Sequence, residues 1–251
     1  MQNRSIRNVT MLALALVLVG TAIGAQTLTA EQIVRRLEQN RTPDDSRSEV
    51  VMTITDRFGT RASELIAYQR GDDDTLIEFT SAAERGQKVL RTESEIYLFY
   101  PDAAELIRLQ GAALRDSMVG SDVSYEDLTG GRSLLEDYEV TLAGNESIDG
   151  NQTYIVDLRA RSRNVAYPRQ RLWIDAELFI ARRTELSALS GRLLKTIEVE
   201  QIEIIDGRPY PVDMVIADAL RRGSSTRVQT DRIQMNIGVD PDVFSLDALQ
   251  W

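Results

Sequence analysis

The chain of 251 residues contains neither cysteine nor histidine. Without cysteine there are no disulfides, so stability rests on burial and backbone hydrogen bonding. The two absences together remove cysteine nucleophiles, Ser-His-Asp triads, haem attachment and zinc sites with His or Cys ligands. Lysine is nearly missing, with only Lys88 and Lys195 present. The formal charge is −10, and loss of Arg4 and Arg7 with an N-terminal leader takes the remainder to about −12. Such a charge is repelled on average by nucleic acid and by anionic membrane surfaces, so no nucleic-acid partner is expected.

Long apolar runs are scarce too, apart from one. Arg4 and Arg7 precede an apolar stretch from Met11 to Val19 that continues through Ala22 and Ile23 into Gly24 and Ala25. Basic, apolar and small segments in that order are what a secretory signal needs, and the apolar part is shorter than the ~20 residues of a membrane span. The expected division is a signal peptide over 1–25, cut after Gly24 or Ala25, and one domain over 26–251. A retained anchor is the other reading of the same segment. No cysteine follows the apolar stretch, which excludes a lipid-modified N-terminus of the lipoprotein type. The expected location is the periplasm.

What is present is globular: 43% apolar and 27% charged residues. Leu28 to Asn40 has Leu28, Ile33, Val34 and Leu37 at helical spacing, with Thr29 as N-cap and Gln32 three residues on. From Arg47 the period changes to two. Val50, Met52 and Ile54 alternate with Val51, Thr53 and Thr55, a turn follows at Arg57 to Thr60, and short strands continue to Leu109. Further strands are expected at 138–142, 153–159, 169–174, 180–186, 193–205, 210–217 and 226–235, punctuated by Asn145, Gly150, Asp206-Gly207 and similar breakers. About a dozen strands without alternating helices predict a mainly β fold, a single strongly curved antiparallel sheet or incomplete barrel. Gly111 to Leu135 breaks the rhythm and predicts short helices and loops lying over one face of the sheet, with Ser124 and Asp127 placed as a capping pair.

Candidate sites reduce mostly to structure. Asp72-Asp73-Asp74 lacks the alternating spacing of a calcium loop and reads as a solvated turn. Glu126-Asp127 has no nucleophile or metal partner and reads as helix capping. Gly130-Gly131 lacks the continuation of a phosphate loop and reads as a hinge or tight turn. The sequons at Asn145 and Asn151 carry little weight in a bacterial envelope. No catalytic residue, metal ligand or cofactor is expected. A sheet with one helix and one irregular segment leaves concave apolar surface that suits an acyl chain, at ~0.8 kcal/mol per buried CH₂. Candidate liners are Val50, Met52, Ile54, Leu98, Tyr100 and Trp173, and the lid residues are Leu114, Met118, Val119, Tyr125 and Leu128. Ordinary core packing is the alternative for each.

The first helix, the meandering strands, Gly-Ser-Asp-Val-Ser-Tyr-Glu-Asp-Leu at 120–128, and Arg171-Leu-Trp-Ile-Asp175 leading into Ile180-Ala-Arg-Arg-Thr-Glu185 resemble the outer-membrane lipoprotein-sorting, LolA-like family. The resemblance implies a half-barrel with a helical lid and a periplasmic, monomeric carrier of lipid or lipoprotein acyl chains. It also implies an inner-membrane transporter of RND or ABC type as partner. A sensor or scaffold that binds lipidated proteins or a membrane complex is the alternative, and a lipid hydrolase without histidine is a third reading.

Overall fold

The structure is a computed structural model and describes residues 28–41, 43–92, 95–128, 133–163 and 165–249. Residues 1–25, expected to be a signal peptide, and Gly130-Gly131 lie outside the described residues.

Helix α1 (Ala30–Arg41) begins at the expected cap. The Thr29 N–H donates to Gln32 Oε1 at 2.9 Å and the Gln32 N–H returns to Thr29 Oγ1 at 3.3 Å. Two N-terminal donors are thereby satisfied reciprocally. Six strands follow: β1 (Asp45–Asp56), β2 (Gly59–Arg70), β3 (Asp74–Phe79), β4 (Lys88–Thr92), β5 (Glu95–Tyr100) and β6 (Glu105–Leu109). The irregular segment contains 3₁₀ turns at Gly111–Arg115 and Met118–Gly120 and two single-turn helices, α2 (Tyr125–Leu128) and α3 (Leu134–Asp137). Seven more strands complete the sheet: β7 (Tyr138–Ile148), β8 (Asn151–Ala160), β9 (Arg169–Asp175), β10 (Ala181–Ser187), β11 (Leu193–Ile205), β12 (Arg208–Asp218) and β13 (Ser225–Met235). A 3₁₀ turn at Pro241–Phe244 and helix α4 (Leu246–Leu249) end the described chain. No described helix is long and apolar enough to cross a membrane.

The fold is mainly β, one curved antiparallel sheet of thirteen strands in the order β6-β5-β4-β3-β2-β1-β13-β12-β11-β10-β9-β8-β7. Each hairpin pairs locally, and among the described strands β1 against β13 is the single long-range seam, with Met52 opposite Val228 and Ile54 opposite Thr226. The two edges, β6 and β7, are consecutive in sequence. The chain between them, 110–137, must therefore cross from one edge of the sheet to the other.

Burial shows which face it crosses. Val50, Met52, Ile54, Leu65, Ile77, Phe79, Val89 and Leu98 form one cluster with Ile216 and Val228, joined by Met118 and Val123 of the crossing segment. Ile107 of β6 and Ile197 of β11 both pack against it although many strands separate them in the sheet, so this is the inside of the curve. Following the register from Ile54 through Thr226, Ile216, Ile197, Thr184 and Leu172 to Val156 stays on the same face. There α1 packs Ile33, Val34 and Leu37 onto Val156, Leu158, Leu172 and Ile174. On the outer face Phe244 and Leu249 cover Leu76 and Leu90. Strand β4 is buried at four successive residues because it lies between the two covers.

Strand β7 departs from expectation. It runs through Asn145, which reads as a breaker, by absorbing a register shift between Leu142 and Gly144. A bulge at a glycine lets the strand bend without ending.

Candidate functional site

The inward faces of β1 to β6 and β11 to β13 supply aliphatic side chains because their period-two pattern places every second residue inside. Val50, Met52, Ile54 and Leu98 are buried there together, and Tyr100 packs against them. Trp173 does not join them. Leu172 and Ile174 take the inward positions of β9 beneath α1, so alternation sends Trp173 to the outer face. There the Arg183 guanidinium lies over its ring, 4.9 Å from the centroid, and the Trp173 Nε1 donates to Glu146 at 2.6 Å.

Of the lid residues, Met118 is fully buried, and Leu114, Val119 and Tyr125 pack on the same cluster. Leu128 ends α2, and its side chain lies outside the described residues. The sequence leaves concave apolar surface bare, whereas the structure fills it with the lid's own side chains. The gap between Val119, Tyr125 and the sheet residues Phe79, Val89 and Leu98 amounts to ≈ 10 Å³, which is about one water.

The lid's backbone is held to the sheet by polar pins, not by strand pairing. Residues 117–124 close on themselves through a bridge between Ser117 and Ser124 and a Met118 N–H to Val123 carbonyl bond of 2.8 Å. Val119 sits in the left-handed region at φ 43°, a conformation that strains a β-branched residue. On one side Arg61 of β2 donates to the Val119 carbonyl at 3.2 Å while gripping Asp56 at 2.9 Å. From the β12–β13 turn Arg221 donates to the Ser121 carbonyl at 2.6 Å and the Gly120 carbonyl at 3.1 Å. A Cβ on Gly120 would stand 2.7 Å from Arg61 Nη2.

Beneath these arginines Asp122 is buried on β13. Its N–H donates to Thr226 Oγ1 at 2.8 Å, and its Oδ2 accepts from Ser224 at 2.8 Å and from Thr226 at 3.1 Å. Oδ1 makes no hydrogen bond and has the Arg221 guanidinium at 3.7 Å. The third pin is Asp127 of α2. It caps Ser124 as the sequence predicts, the Ser124 N–H donating to Oδ2 at 2.9 Å and the Asp127 N–H to Ser124 Oγ at 3.3 Å. It also pairs with Lys195 of β11 and accepts from the Tyr167 hydroxyl at 3.1 Å. The Tyr138 hydroxyl in turn holds the Tyr167 carbonyl at 3.1 Å. Burial first, then the Asp127 charge, pushes the Tyr167 hydroxyl well above the ordinary tyrosine range. Burial and the neighbouring Tyr100 do the same to Tyr125, so both stay protonated donors. Burial, with Asp127 beside it, also raises the Glu126 carboxyl.

Sequence reasoning missed the sheet half of this latch: Arg61, Lys195, Arg221 and Thr226. One signal was available. Lys195 is one of two lysines and falls in phase with Leu193 and Ile197, which marks an inward-pointing charge in need of a partner.

A family model described only as uncharacterized protein-like matches residues 71–251, well over half of the chain. A LolA superfamily protein from Nitrosomonas europaea superposes with a TM-score of 0.74 at 26% identity, covering 88% of this chain and 100% of that one. The chain belongs to the LolA-like family. A DUF1329 family protein from Desulfovibrio piger has the same fold at a TM-score of 0.82 and 24% identity, over 89% of this chain and 100% of that one. A putative outer membrane lipoprotein-sorting protein domain from Vibrio parahaemolyticus does so at 0.80 and 18%, over 89% and 98%. No curated protein matches the chain. The unclosed, curved antiparallel sheet with few short helices is a LolA-like fold.

Proposed function

We propose that the chain is a periplasmic, non-enzymatic carrier, freed from its export segment by cleavage near Gly24-Ala25, that holds lipid or lipoprotein acyl chains on the concave face now covered by its lid. One observation carries this reading: an apolar inner face drawn from both halves of the sheet is covered by a segment fixed to it by side-chain pins at a few points. Such a cover separates from the sheet without breaking any strand pairing. The lining is Val50, Met52, Ile54, Leu98 and Tyr100, and the lid contributes Leu114, Met118, Val119 and Tyr125.

Magnitudes favour exchange. Burying Met118, Val123, Leu114, Val119 and Tyr125 stabilises the closed form by roughly 2 kcal/mol each, about 10 kcal/mol together. An acyl chain of a dozen methylenes, at ~0.8 kcal/mol apiece, gives about 10 kcal/mol. Lid and cargo are therefore closely matched for the same face, so one replaces the other at small net cost, and the closed lid keeps the empty face from water. Transfer then runs from a membrane transporter of RND or ABC type toward an acceptor of higher affinity, the protein acting as a monomer.

Mass spectrometry of lipids that copurify with the protein from the cell envelope tests the reading. Stoichiometric acyl species are expected. Repeated purification of lipid-free protein that also takes up no added acyl probe sinks it.

A further inference from the structure

The two rims of the sheet differ in charge, which the overall count of −10 conceals. The β1–β2, β12–β13 and β10–β11 turns are neighbours on one rim, because Thr55 pairs with Ser225 and Lys195 with Asp218. Residues 56–61, 187–193 and 218–224 together hold five arginines (57, 61, 192, 221 and 222) against two aspartates. Both aspartates are engaged locally, Asp56 with Arg61 and the Phe58 N–H, Asp218 with the Leu220 N–H. Each turn also lifts one large apolar side chain into solvent: Phe58 is 83% exposed, Leu189 59% and Leu220 57%. The Arg57 guanidinium lies 4.6 Å above the Phe58 ring centroid. Beyond β2 the arginine excess stops at the β3–β4 turn, where Glu84 balances Arg85, and the β5–β6 turn further along the same rim carries Asp102 and Glu105.

The opposite rim exposes Ile204 at 60%, but its turns carry Asp72, Asp73, Asp149 and Asp206. Strand β1 alone is 12 residues long, so the rims stand ~40 Å apart at 3.3 Å per residue. That is about four to five Debye lengths at physiological salt. A surface touching the arginine rim does not sense the acidic one.

We propose that the arginine rim docks on an anionic bilayer, with Phe58, Leu189 and Leu220 entering the headgroup layer and Arg57, Arg192 and Arg222 lying among its phosphates. An apolar tip flanked by arginine is the combination that partitions to such an interface, since the ring enters while the guanidinium stays with the anions. An acidic protein surface offers the arginines partners but gives three separate protruding apolar tips no common depth to enter. The repulsion expected from net charge is reversed locally by its distribution. This is also the end at which Arg61 and Arg221 grip the lid, so the mouth of the concave face meets the same surface.

Cosedimentation of the protein purified from the cell envelope with vesicles tests this. Binding to phosphatidylethanolamine/phosphatidylglycerol vesicles is expected at low salt, weakening as salt rises, with little binding to phosphatidylcholine vesicles. The double variant R57Q/R222Q should bind at least about tenfold more weakly, each arginine being worth about fivefold, and Phe58→Ser should also lose binding. Ile204→Ser, on the far rim, should change nothing. Absence of low-salt binding to the anionic vesicles, as an acidic protein partner predicts, overturns the proposal. So does binding that R57Q/R222Q leaves intact or that Ile204→Ser weakens equally.

Discussion

Asp127 of the lid and Lys195 of β11 form an ion pair that is almost wholly withdrawn from water, with the Tyr167 hydroxyl completing the carboxylate's partners. Two charges are thereby spent on holding a single-turn helix against the inner face of the sheet. A buried pair of this kind adds little stability over a well-packed apolar pair, but losing one member leaves an uncompensated charge.

Lys195→Met should therefore destabilise the closed lid by about 3–5 kcal/mol, because Asp127 remains buried without its cation. The double change Lys195→Met/Asp127→Leu should recover a substantial part of that loss. Urea unfolding of the single and double variants measures both, and equal loss in the two would mean that the charges are not coupled.

Thr226 serves Asp122 as acceptor and donor at once. Thr226→Val keeps the shape and removes both bonds, leaving the buried Asp122 N–H unpartnered and the carboxylate with one donor fewer. A cost of about 2–3 kcal/mol is expected, with Thr226→Ser close to the parent. Hydrogen exchange at residues 118–124 should accelerate in the valine variant and not in the serine variant.

Gly120 turns the lid at φ +74°. In Gly120→Ala the new methyl meets only the flexible end of Arg61, which swings aside, so the backbone strain sets the cost at ~1–2 kcal/mol. The displaced arginine also releases the Val119 carbonyl. Faster acyl-probe uptake than the parent is the expected result, and unchanged uptake would show that Arg61 does not gate the lid.

Glu126 is raised from the ordinary glutamate range, chiefly by burial. A carboxyl so raised favours the folded state when protonated: its contribution is full below its unfolded pKa, ~4.3, and is lost as pH rises through the raised folded value. Glu126→Gln should then be more stable than the parent at neutral pH, the difference shrinking as pH falls through that window. Chemical denaturation of both proteins at neutral and mildly acidic pH reads the difference directly, and a constant offset across pH would contradict it.

Most of the sheet was legible because period-two burial writes itself into the sequence. The span expected for β11, 193–205, matches the strand observed, and Thr29, Gln32, Ser124 and Asp127 stand in the capping pairs read from their spacing. The phase of a strand was harder to read. Trp173 looks like the best candidate liner of β9 by size, but its neighbours Leu172 and Ile174 are equally apolar and α1 selects them. Nothing local marks that choice. The latch was hidden for a related reason: Asp122 and Thr226 are 104 residues apart, and only the β1–β13 seam and the crossing of the lid bring them together. The covering of the outer face by Phe244 and Leu249 is likewise a long-range event.

The proposed carrier role requires lid and acyl chain to compete for one concave face. The absence of native cysteine makes a direct test clean. In Asp122→Cys/Thr226→Cys, placed where the lid backbone meets the sheet side chain at 2.8 Å, oxidation ties the lid down and reduction frees it. Uptake of a fluorescent fatty-acyl probe should be abolished in the oxidised protein and restored on reduction. Equal uptake in the two states would rule out that competition.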